Sequence, residues 1–357
     1  MTMVVRLDWE SKSTYKMMKN IFRNKEDIMS LAKNTNQGGF SLKSVMTFSL
    51  AVLLTFGAIL LPSNVNAQAK VGTTGAQFLE LGVSARAMGM AEAFTAAADD
   101  ISAVYYNPAG LVSLYGYEAA FTLVQMPADV NYSFGAIGFP LESVGGVIGI
   151  GFYGLNSGDM IERTYERGTI DGTGRVFSWK DYALSVSYGR YLTDRFSVGI
   201  SVKFIGSYTH EYSASGWAAD VGTNYDTGFR GFKIAMSIAN FGPDMTFINN
   251  AFPLPINFKF GGTINVVEND NHVVTFAAEG SHPSDNLEKY NAGLEYTFNE
   301  RFSLRGGSRF NYDEDGFTAG GGVRVPFGEE SEIRFDYAFQ EFGVLTEVHR
   351  FTMSLAF

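Results

Sequence analysis

The sequence contains no cysteine, and only 18% of its 357 residues are charged. Without cysteine the chain can form neither a disulfide framework nor a thiol-based active site. The four histidines are scattered with no metal-ligand spacing, and the acidic stretch at residues 311–316 lacks the closing glutamate of a calcium loop. We therefore expect no metal site and no cofactor.

Positive charge is also scarce. The chain has 27 Lys and Arg against 37 Asp and Glu, a formal net charge of −10 at pH 7. A nucleic-acid-binding surface needs clustered positive charge, so we expect no nucleic-acid partner. The sequence also lacks a Gly-x-Ser-x-Gly motif and any phosphate-binding glycine loop, and we expect no enzymatic activity and no catalytic residues.

Long apolar runs are absent after residue 61. The one such run, residues 45–61, follows Lys33 and Lys43 and is followed by Pro62 and by the small residue Ala67. This order predicts a signal peptide over residues 1–67 that is cut near Ala67; an N-terminal transmembrane anchor is the alternative. Acidic residues within positions 1–28 suggest an over-long N-terminus, with the true start at an internal methionine such as Met29.

Glycine and aromatic residues are abundant, and apolar residues alternate strictly with polar or small ones. The apolar residues of positions 196–204 recur at every second position, which is the period of a strand. The same pattern predicts fourteen strands: 117–125, 130–140, 144–153, 177–190, 195–207, 214–226, 230–240, 256–267, 272–281, 287–298, 302–311, 316–325, 331–340 and 346–357. Short and long connections alternate between them, which is typical of outer-membrane barrels.

A soluble β-sandwich would also alternate, with its apolar faces packed together. The even number of hairpin-linked strands and the signal peptide favour a barrel instead. We therefore predict an all-β fold: a 14-stranded antiparallel transmembrane β-barrel over residues 117–357. It would lie in the bacterial outer membrane, with membrane lipid as its surroundings.

The last predicted strand has one apolar face. Phe351, Met353, Leu355 and Phe357 alternate with small or polar residues and are predicted to face lipid. This strand would pair with the first one and close the barrel. The four residues also look like a C-terminal signal for the barrel-assembly machinery, which we expect as a partner.

Charged residues recur mid-strand on the opposite, lumen-facing side. We predict a lumen charge cluster formed by Glu295, Arg305, Arg309, Arg334 and Asp336. Such a cluster either binds the head group of an amphipathic ligand or pairs with a segment inside the barrel, because buried charges need partners.

Residues 68–116 do not alternate and are rich in alanine. The pattern predicts a helix over residues 85–98, with Asp99 and Asp100 as capping or loop residues. The segment is too small to fold alone, and the lumen of a fourteen-stranded barrel is too wide for strand side chains to fill. We therefore predict a helical plug, or hatch, inside the barrel.

A turn is predicted where Pro108 follows Asn107, because proline fixes its own φ and biases the preceding residue away from helix. We expect the plug motif Asn107, Pro108, Ala109 and Gly110 to anchor the plug to the barrel wall; gating is the alternative role.

Two stretches of the predicted plug, "FLELGVSARAMGM" (78–90) and "AFTAAADDISAVYYNPAGL" (93–111), resemble the N-terminal segment of the PorV/PorQ family, within the FadL-like outer-membrane barrels. The resemblance implies a plug threaded in from the periplasmic side. It also implies a non-enzymatic role in type IX-like protein secretion, as a shuttle or attachment component for secreted-protein cargo.

The alternative that the resemblance leaves open is a FadL-type channel for long-chain fatty acids or other hydrophobic small molecules. A channel of this type predicts an apolar pocket above the plug and an opening in the barrel wall. Glycines within a strand can create such an opening; the candidates are Gly145, Gly146, Gly149 and Gly151.

Overall fold

The computed structural model describes residues 71–163, 173–209, 212–328 and 331–357. The predicted signal peptide, residues 68–70 of the predicted plug and His210 lie outside these ranges. No helix among the described residues is long and apolar enough to cross a membrane.

Eighteen strands are found in the described part of the chain, and fourteen of them form a closed antiparallel barrel. The barrel strands are β1 (Glu118–Gln125), β2 (Asn131–Leu141), β3 (Gly146–Asn156), β6 (Trp179–Thr193), β7 (Phe196–Thr209), β8 (Tyr212–Asp226), β9 (Lys233–Phe241), β12 (Asn257–Glu268), β13 (His272–Pro283), β14 (Lys289–Phe298), β15 (Phe302–Phe310), β16 (Asp315–Phe327), β17 (Ser331–Phe342) and β18 (Glu347–Ala356). Two short hairpins lie in connections: β4 (Met160–Ile161) with β5 (Val176–Phe177), and β10 (Met245–Phe247) with β11 (Asn250–Phe252). The predicted fold class is confirmed, and the predicted strand limits differ from these by at most about three residues.

The barrel closes where β18 pairs with β1, in a register that runs from Glu118 opposite Ala356 to Gln125 opposite His349. Beyond the last ladder pair, Tyr117 and Phe357 exchange two backbone hydrogen bonds of 2.8 and 2.9 Å. Their rings stack with centroids 5.7 Å apart. No strand edge is left unpaired at this seam, which is what a closed sheet in lipid requires.

Alternation along the strands separates an apolar outer face from a more polar inner face. On β18, Phe351 and Met353 are 47% and 49% exposed, whereas Arg350 and Thr352 are 4% and 7% exposed. Leu355 is half-buried and Phe357 is exposed. The same contrast holds on β7, where Val202 lies outside and Lys203 lies inside. An apolar outer face around a closed sheet is what a membrane-spanning barrel needs.

The two ends of the barrel differ in their connections. Short turns at one end, here called the turn end, join β2 to β3, β6 to β7, β8 to β9, β12 to β13, β14 to β15 and β16 to β17. The longest connections, residues 157–178 and 242–256, are at the opposite end, here called the loop end. In outer-membrane barrels the short turns are periplasmic and the longer loops extracellular.

Residues 75–116, here called the inner segment, pack against inward-facing residues of the barrel strands. The segment contains a 3-10 turn at Gln77–Glu80, helices α1 (Ala85–Gly89) and α2 (Ala103–Tyr106), and a second 3-10 turn at Pro108–Ser113. Contacts from α1 reach β15 to β18, while the second 3-10 turn contacts β3, β6, β7 and β8. Most of the segment is buried, and with the inward-facing strand residues it forms the core of the molecule.

The inner segment crosses the lumen from the loop end to the turn end. At the loop end the amide of Gly75 donates to the carbonyl of Pro253 in the β9–β12 connection, at 2.9 Å. At the turn end the side chain of Leu114 contacts Gly138 of β2. Three residues later along the chain, Tyr117 pairs with Phe357. The segment joins β1 at the turn end, and the expectation that it is threaded in from the periplasmic side stays a prediction.

The predicted helix over residues 85–98 is wrong beyond its first turn. Helix α1 ends at Gly89, and Ala91 and Glu92 adopt left-handed backbone angles, with φ of 55° and 62°. The backbone of Met90 and Ala91 lies so close to Gly293 and Gly307 that a Cβ at either glycine would overlap with it. The amide of Ala91 donates to Oγ1 of Thr318 at 3.1 Å. Contacts with the wall therefore replace the helical hydrogen bonds that the local sequence favours.

Candidate functional site

The two larger cavities that the described residues enclose inside the barrel lie one on each side of the inner segment. The loop-side cavity has a volume of about 380 Å³ and is lined by Gln77, Phe78, residues 80–82 and Glu92 of the inner segment together with the loop ends of the strands. The turn-side cavity, of about 700 Å³, is lined by residues 112–116 together with the strand ends near Glu118 and Phe357. The inner segment is thus the barrier between two compartments of the lumen.

The loop-side cavity is amphipathic. Its apolar lining residues come from both the segment and the strand ends: Phe78, Leu81, Met126, Leu155, Phe342 and Val348. Its charged lining residues are Glu80, Glu92, Asp181, Lys289, Arg309 and Arg350. A cavity of this size is within the range of small-molecule sites, and its two kinds of lining suit a ligand with an apolar body and a polar end.

Two cations of this cavity flank one aromatic ring. The Lys289 ammonium lies 4.8 Å from the ring centroid of Tyr312, and the Arg309 guanidinium lies 4.1 Å from the same centroid. Arg309 also bonds to the carboxylate of Glu92 at 3.1 Å, which joins the cavity wall to the inner segment. The head of an anionic ligand would find two positive groups within one small region.

The predicted lumen charge cluster is split in the structure. Arg305 contacts Glu295 at 2.5 Å and Asp336 at 2.6 Å, so these three residues form one network. Arg309 instead pairs with Glu92, and Arg334 pairs with Glu118 at 2.6 Å.

Arg86, which the sequence analysis did not single out, joins this three-residue network to the inner segment. Its guanidinium bonds to Glu295 at 3.1 Å and reaches Asp99 at 2.5 Å and Asp100 at 3.1 Å. Burial alone would raise the pKa of Asp100, but Arg86, and after it Arg334, lower that pKa below its ordinary value. Glu295 on β14 therefore binds α1 to the wall, whereas the two aspartates predicted as capping residues bind α1 to a later part of the inner segment. An arginine within an apolar, alanine-rich stretch was the available signal.

Asn107 holds the plug motif in place. Its side-chain amide donates to the carbonyl of Thr95 at 2.9 Å and to the carbonyl of Thr223 on β8 at 3.2 Å. Its side-chain oxygen accepts from the amide of Ala109 at 3.1 Å and so caps the turn at Pro108–Ser113. Gly110 passes so close to the carbonyl of Ala98 that a side chain there would overlap with it. All four motif residues are buried.

The barrel wall opposite the motif contains two glycines, Gly199 and Gly222. A Cβ at Gly199 of β7 would overlap with backbone atoms of Pro108 and Ala109, and one at Gly222 of β8 would overlap with the side chain of Asn107. The hydroxyl of Ser197 donates to the carbonyl of Ala109 at 3.0 Å. This glycine-lined recess lets the inner segment approach the wall through its backbone.

A further buried ion pair lies on the same side of the lumen as this recess. Lys203 of β7 contacts Asp220 of β8 at 2.7 Å and donates to the side-chain oxygen of Asn240 at 2.8 Å. The side chains of Lys203 and Asp220 are only 1% and 2% exposed. Because both charges are almost completely buried, removal of either side chain would leave the other as an unpaired buried charge, which is strongly destabilising.

The predicted opening at the β3 glycines is wrong. Strand β3 pairs without interruption with β2 and, from Val147 to Asn156, with β6. Gly149 instead leaves space for the side chains of Val104 and Leu111 of the inner segment. The described residues likewise contain no group of three or more His, Asp or Glu side chains placed to hold a metal ion.

No protein-family model matches the chain, and no curated protein matches it. Solved structures do match. The toluene transporter TbuX of Ralstonia pickettii has a TM-score of 0.51 at 14% identity, covering 72% of this chain and 92% of its own. A FadL homologue of Pseudomonas aeruginosa has a TM-score of 0.51 at 11% identity, and the match covers 77% of this chain and 98% of the homologue.

At 11–14% sequence identity, the similarity to these structures shows that the fold is shared. Together with the closed sheet and the apolar outer face, it identifies the chain as a β-barrel of the bacterial outer membrane. The fold matches that of a FadL homologue, while assignment of the chain to the PorV/PorQ family within the FadL-like barrels stays a prediction.

Proposed function

We propose that this barrel is a channel for small hydrophobic molecules and that its preferred substrates are amphipathic, with an apolar chain and an anionic head. The amphipathic loop-side cavity carries the proposal. The apolar body of such a ligand would lie against the side chains of Leu155, Phe342 and Val348, where it leaves water. Its head would lie near Lys289 and Arg309.

The fold neighbours agree with this proposal. One of them is a toluene transporter and another is a FadL homologue. The secretion-shuttle role rests only on the resemblance of residues 78–111 and needs a wide outer mouth with loops that hold a protein domain. The channel is the role that the cavity favours.

The ion pair between Arg309 and Glu92 suggests how a substrate would loosen the barrier. Glu92 belongs to the inner segment and Arg309 to the wall, so their 3.1 Å contact helps to hold the cavity floor closed. An anionic head group beside Arg309 would compete with Glu92 for the same guanidinium. Binding at the loop end would then weaken one attachment of the inner segment before the molecule moves towards the turn end.

Uptake by cells tests the proposal. The protein would be produced in the outer membrane of a host that lacks its own long-chain fatty-acid channel, and uptake of radiolabelled oleate would be measured. Leu155→Trp fills the cavity and should reduce uptake at least fivefold. Phe152→Trp changes a residue of the same strand whose side chain is 49% exposed on the lipid side, and it should leave uptake unchanged.

Folding and the competing role need their own controls. Heat-modifiable mobility on gels would establish that each variant is a folded barrel. In the native host, deletion of the gene should stop growth on long-chain fatty acids while protein secretion stays normal. A deletion strain that loses secretion and still takes up oleate would support the shuttle instead.

A further inference from the structure

The loop-side cavity carries equal numbers of opposite charges. Three of its lining residues are basic and three are acidic. Two of the acidic residues, Glu80 and Glu92, belong to the inner segment that forms the cavity floor, and the third, Asp181, belongs to the barrel wall. A cavity that is neutral as a whole gives no general preference for an anion, so the positions of its charges decide which ligand it favours.

Asp181 lies across the lumen from the cations that the proposed head group would meet. It is the third residue of β6, at the loop end of that strand, and Arg309 is the last residue but one of β15, also at the loop end. Strands β6 and β15 are seven places apart in both directions around the fourteen-stranded sheet, and Lys289 begins the adjacent strand β14. Since all three residues line one cavity, the cavity extends from a basic wall to an acidic wall.

No basic side chain pairs with Asp181. Its two cross-strand neighbours are Leu155 on β3 and Ser207 on β7, neither of which is charged. Within the part of the chain that the structure describes, Asp181 takes part in no ion pair. The indole N–H of Trp179 donates to Oδ1 of Asp181 at 2.8 Å, which fixes the position of the carboxylate. Asp181 therefore presents a negative charge to the cavity that no residue neutralises.

Aromatic rings lie beside this carboxylate. The indole of Trp179 stacks on Phe247 of the β10–β11 hairpin, with centroids 5.5 Å apart. The ring of Tyr212 lies 6.5 Å from that of Phe247. A carboxylate next to aromatic rings suits an ammonium group, because the carboxylate accepts its hydrogen bonds and the ring faces attract its charge.

We propose that the loop-side cavity is a site for dipolar ligands, whose anionic group lies near Lys289 and Arg309 and whose ammonium group lies beside Asp181. The inference rests on the proposed channel function. It narrows the substrate class to chain molecules that carry opposite charges at their two ends.

The apolar chain of a bound ligand strengthens the need for a cation at Asp181. Leu155 and Asp181 are paired across β3 and β6, so a chain that lies against Leu155 displaces water beside the carboxylate. A carboxylate that loses water without gaining a cation is strongly disfavoured. A simple fatty acid leaves Asp181 in that state, whereas a ligand with an ammonium group at its far end does not.

Three ligands of one chain length test the dipolar site: dodecanoate, 12-hydroxydodecanoate and 12-aminododecanoate. Their binding to the full-length protein in nanodiscs would be measured by equilibrium dialysis at neutral pH, where the amino ligand is a zwitterion. Leu155→Trp, which fills the cavity, gives the background from lipid. The hydroxyl end is polar but uncharged, so the comparison isolates the charge. We expect the wild type to bind the amino ligand about tenfold more tightly than the hydroxy ligand.

Variants identify the group that binds the ammonium. Asp181→Asn should weaken binding of 12-aminododecanoate about tenfold and leave that of 12-hydroxydodecanoate unchanged. Asp194→Asn changes an exposed carboxylate in the turn at the other end of the same strand and should behave as the wild type. Equal binding of the amino and hydroxy ligands by the wild type, or an undiminished preference in Asp181→Asn, would overturn the dipolar site.

Dodecanoate distinguishes this inference from the proposed function. If the wild type binds dodecanoate above the Leu155→Trp background but does not prefer the amino ligand, the dipolar site is refuted and the channel is not. If none of the three ligands binds above that background, both are refuted.

Discussion

Changing Gly199 to alanine adds one methyl group at the place where the backbone of the inner segment leaves no room. The new Cβ would overlap with the carbonyl of Pro108 and the amide nitrogen of Ala109. Both are backbone atoms, so neither can rotate away as a side-chain end would. Either the wall distorts or the Asn107–Gly110 motif withdraws from it.

Both outcomes have a cost of similar size. Overpacking a well-filled interior costs about 1–3 kcal/mol. Withdrawal of the motif would break the hydrogen bond from Asn107 to Thr223 and the one from Ser197 to Ala109, at about 1 kcal/mol each. We therefore expect Gly199→Ala to weaken docking of the inner segment by about 2–3 kcal/mol, which is about a 30- to 150-fold change in the docking equilibrium.

Single-channel recording in planar bilayers measures this change. The wild-type barrel should be closed most of the time, and Gly199→Ala should open to ions far more often. Gly306→Ala is the matched control, since its Cβ would meet no atom nearer than the carbonyl of Thr318 at 4.0 Å. If the alanine at position 199 changed neither the open probability nor the protease resistance of the segment, the proposed anchoring of the motif would be refuted.

Two further changes test the buried charges. Lys203→Met leaves Asp220 as an uncompensated buried charge and should destabilise the barrel by about 3–5 kcal/mol. The loss would be measured as a lower midpoint temperature for heat modifiability on gels. The double variant Lys203→Met, Asp220→Asn should recover most of the lost stability, and no recovery would contradict the pairing. Lys289→Gln should weaken binding of oleate by about 1 kcal/mol, or about fivefold, in equilibrium dialysis. Binding of oleyl alcohol, which has no anionic head, should stay the same, and equal weakening of both ligands would count against a head-group role for Lys289.

The barrel could be predicted from the sequence because its signal is local. Alternation along a single strand is enough to assign an outer and an inner face, as it does for Phe351 and Arg350. The strand limits could be predicted because turn residues lie next to the strand ends. None of these inferences required knowing which strand lies opposite which.

The interior could not be predicted in the same way, because its contacts join distant parts of the chain. Arg86 and Glu295 are 209 positions apart, so no local pattern joins them. The local sequence favours helix after Gly89, but the approach of Gly293 and Gly307 to Met90 ends the helix there. The recess for Asn107 likewise depends on Gly222, whose role is visible only when the strands are assembled.

The proposed function requires that a small amphipathic molecule binds in the loop-side cavity. Photo-crosslinking tests it most directly, with a fatty acid that carries a diazirine at the end of its chain and mass spectrometry to locate the modified residues. We expect crosslinks at Leu155, Phe342 or Val348 in the intact outer membrane, reduced by excess oleate. Crosslinks confined to lipid-facing residues such as Phe152 and Phe351, and unaffected by oleate, would contradict the claim.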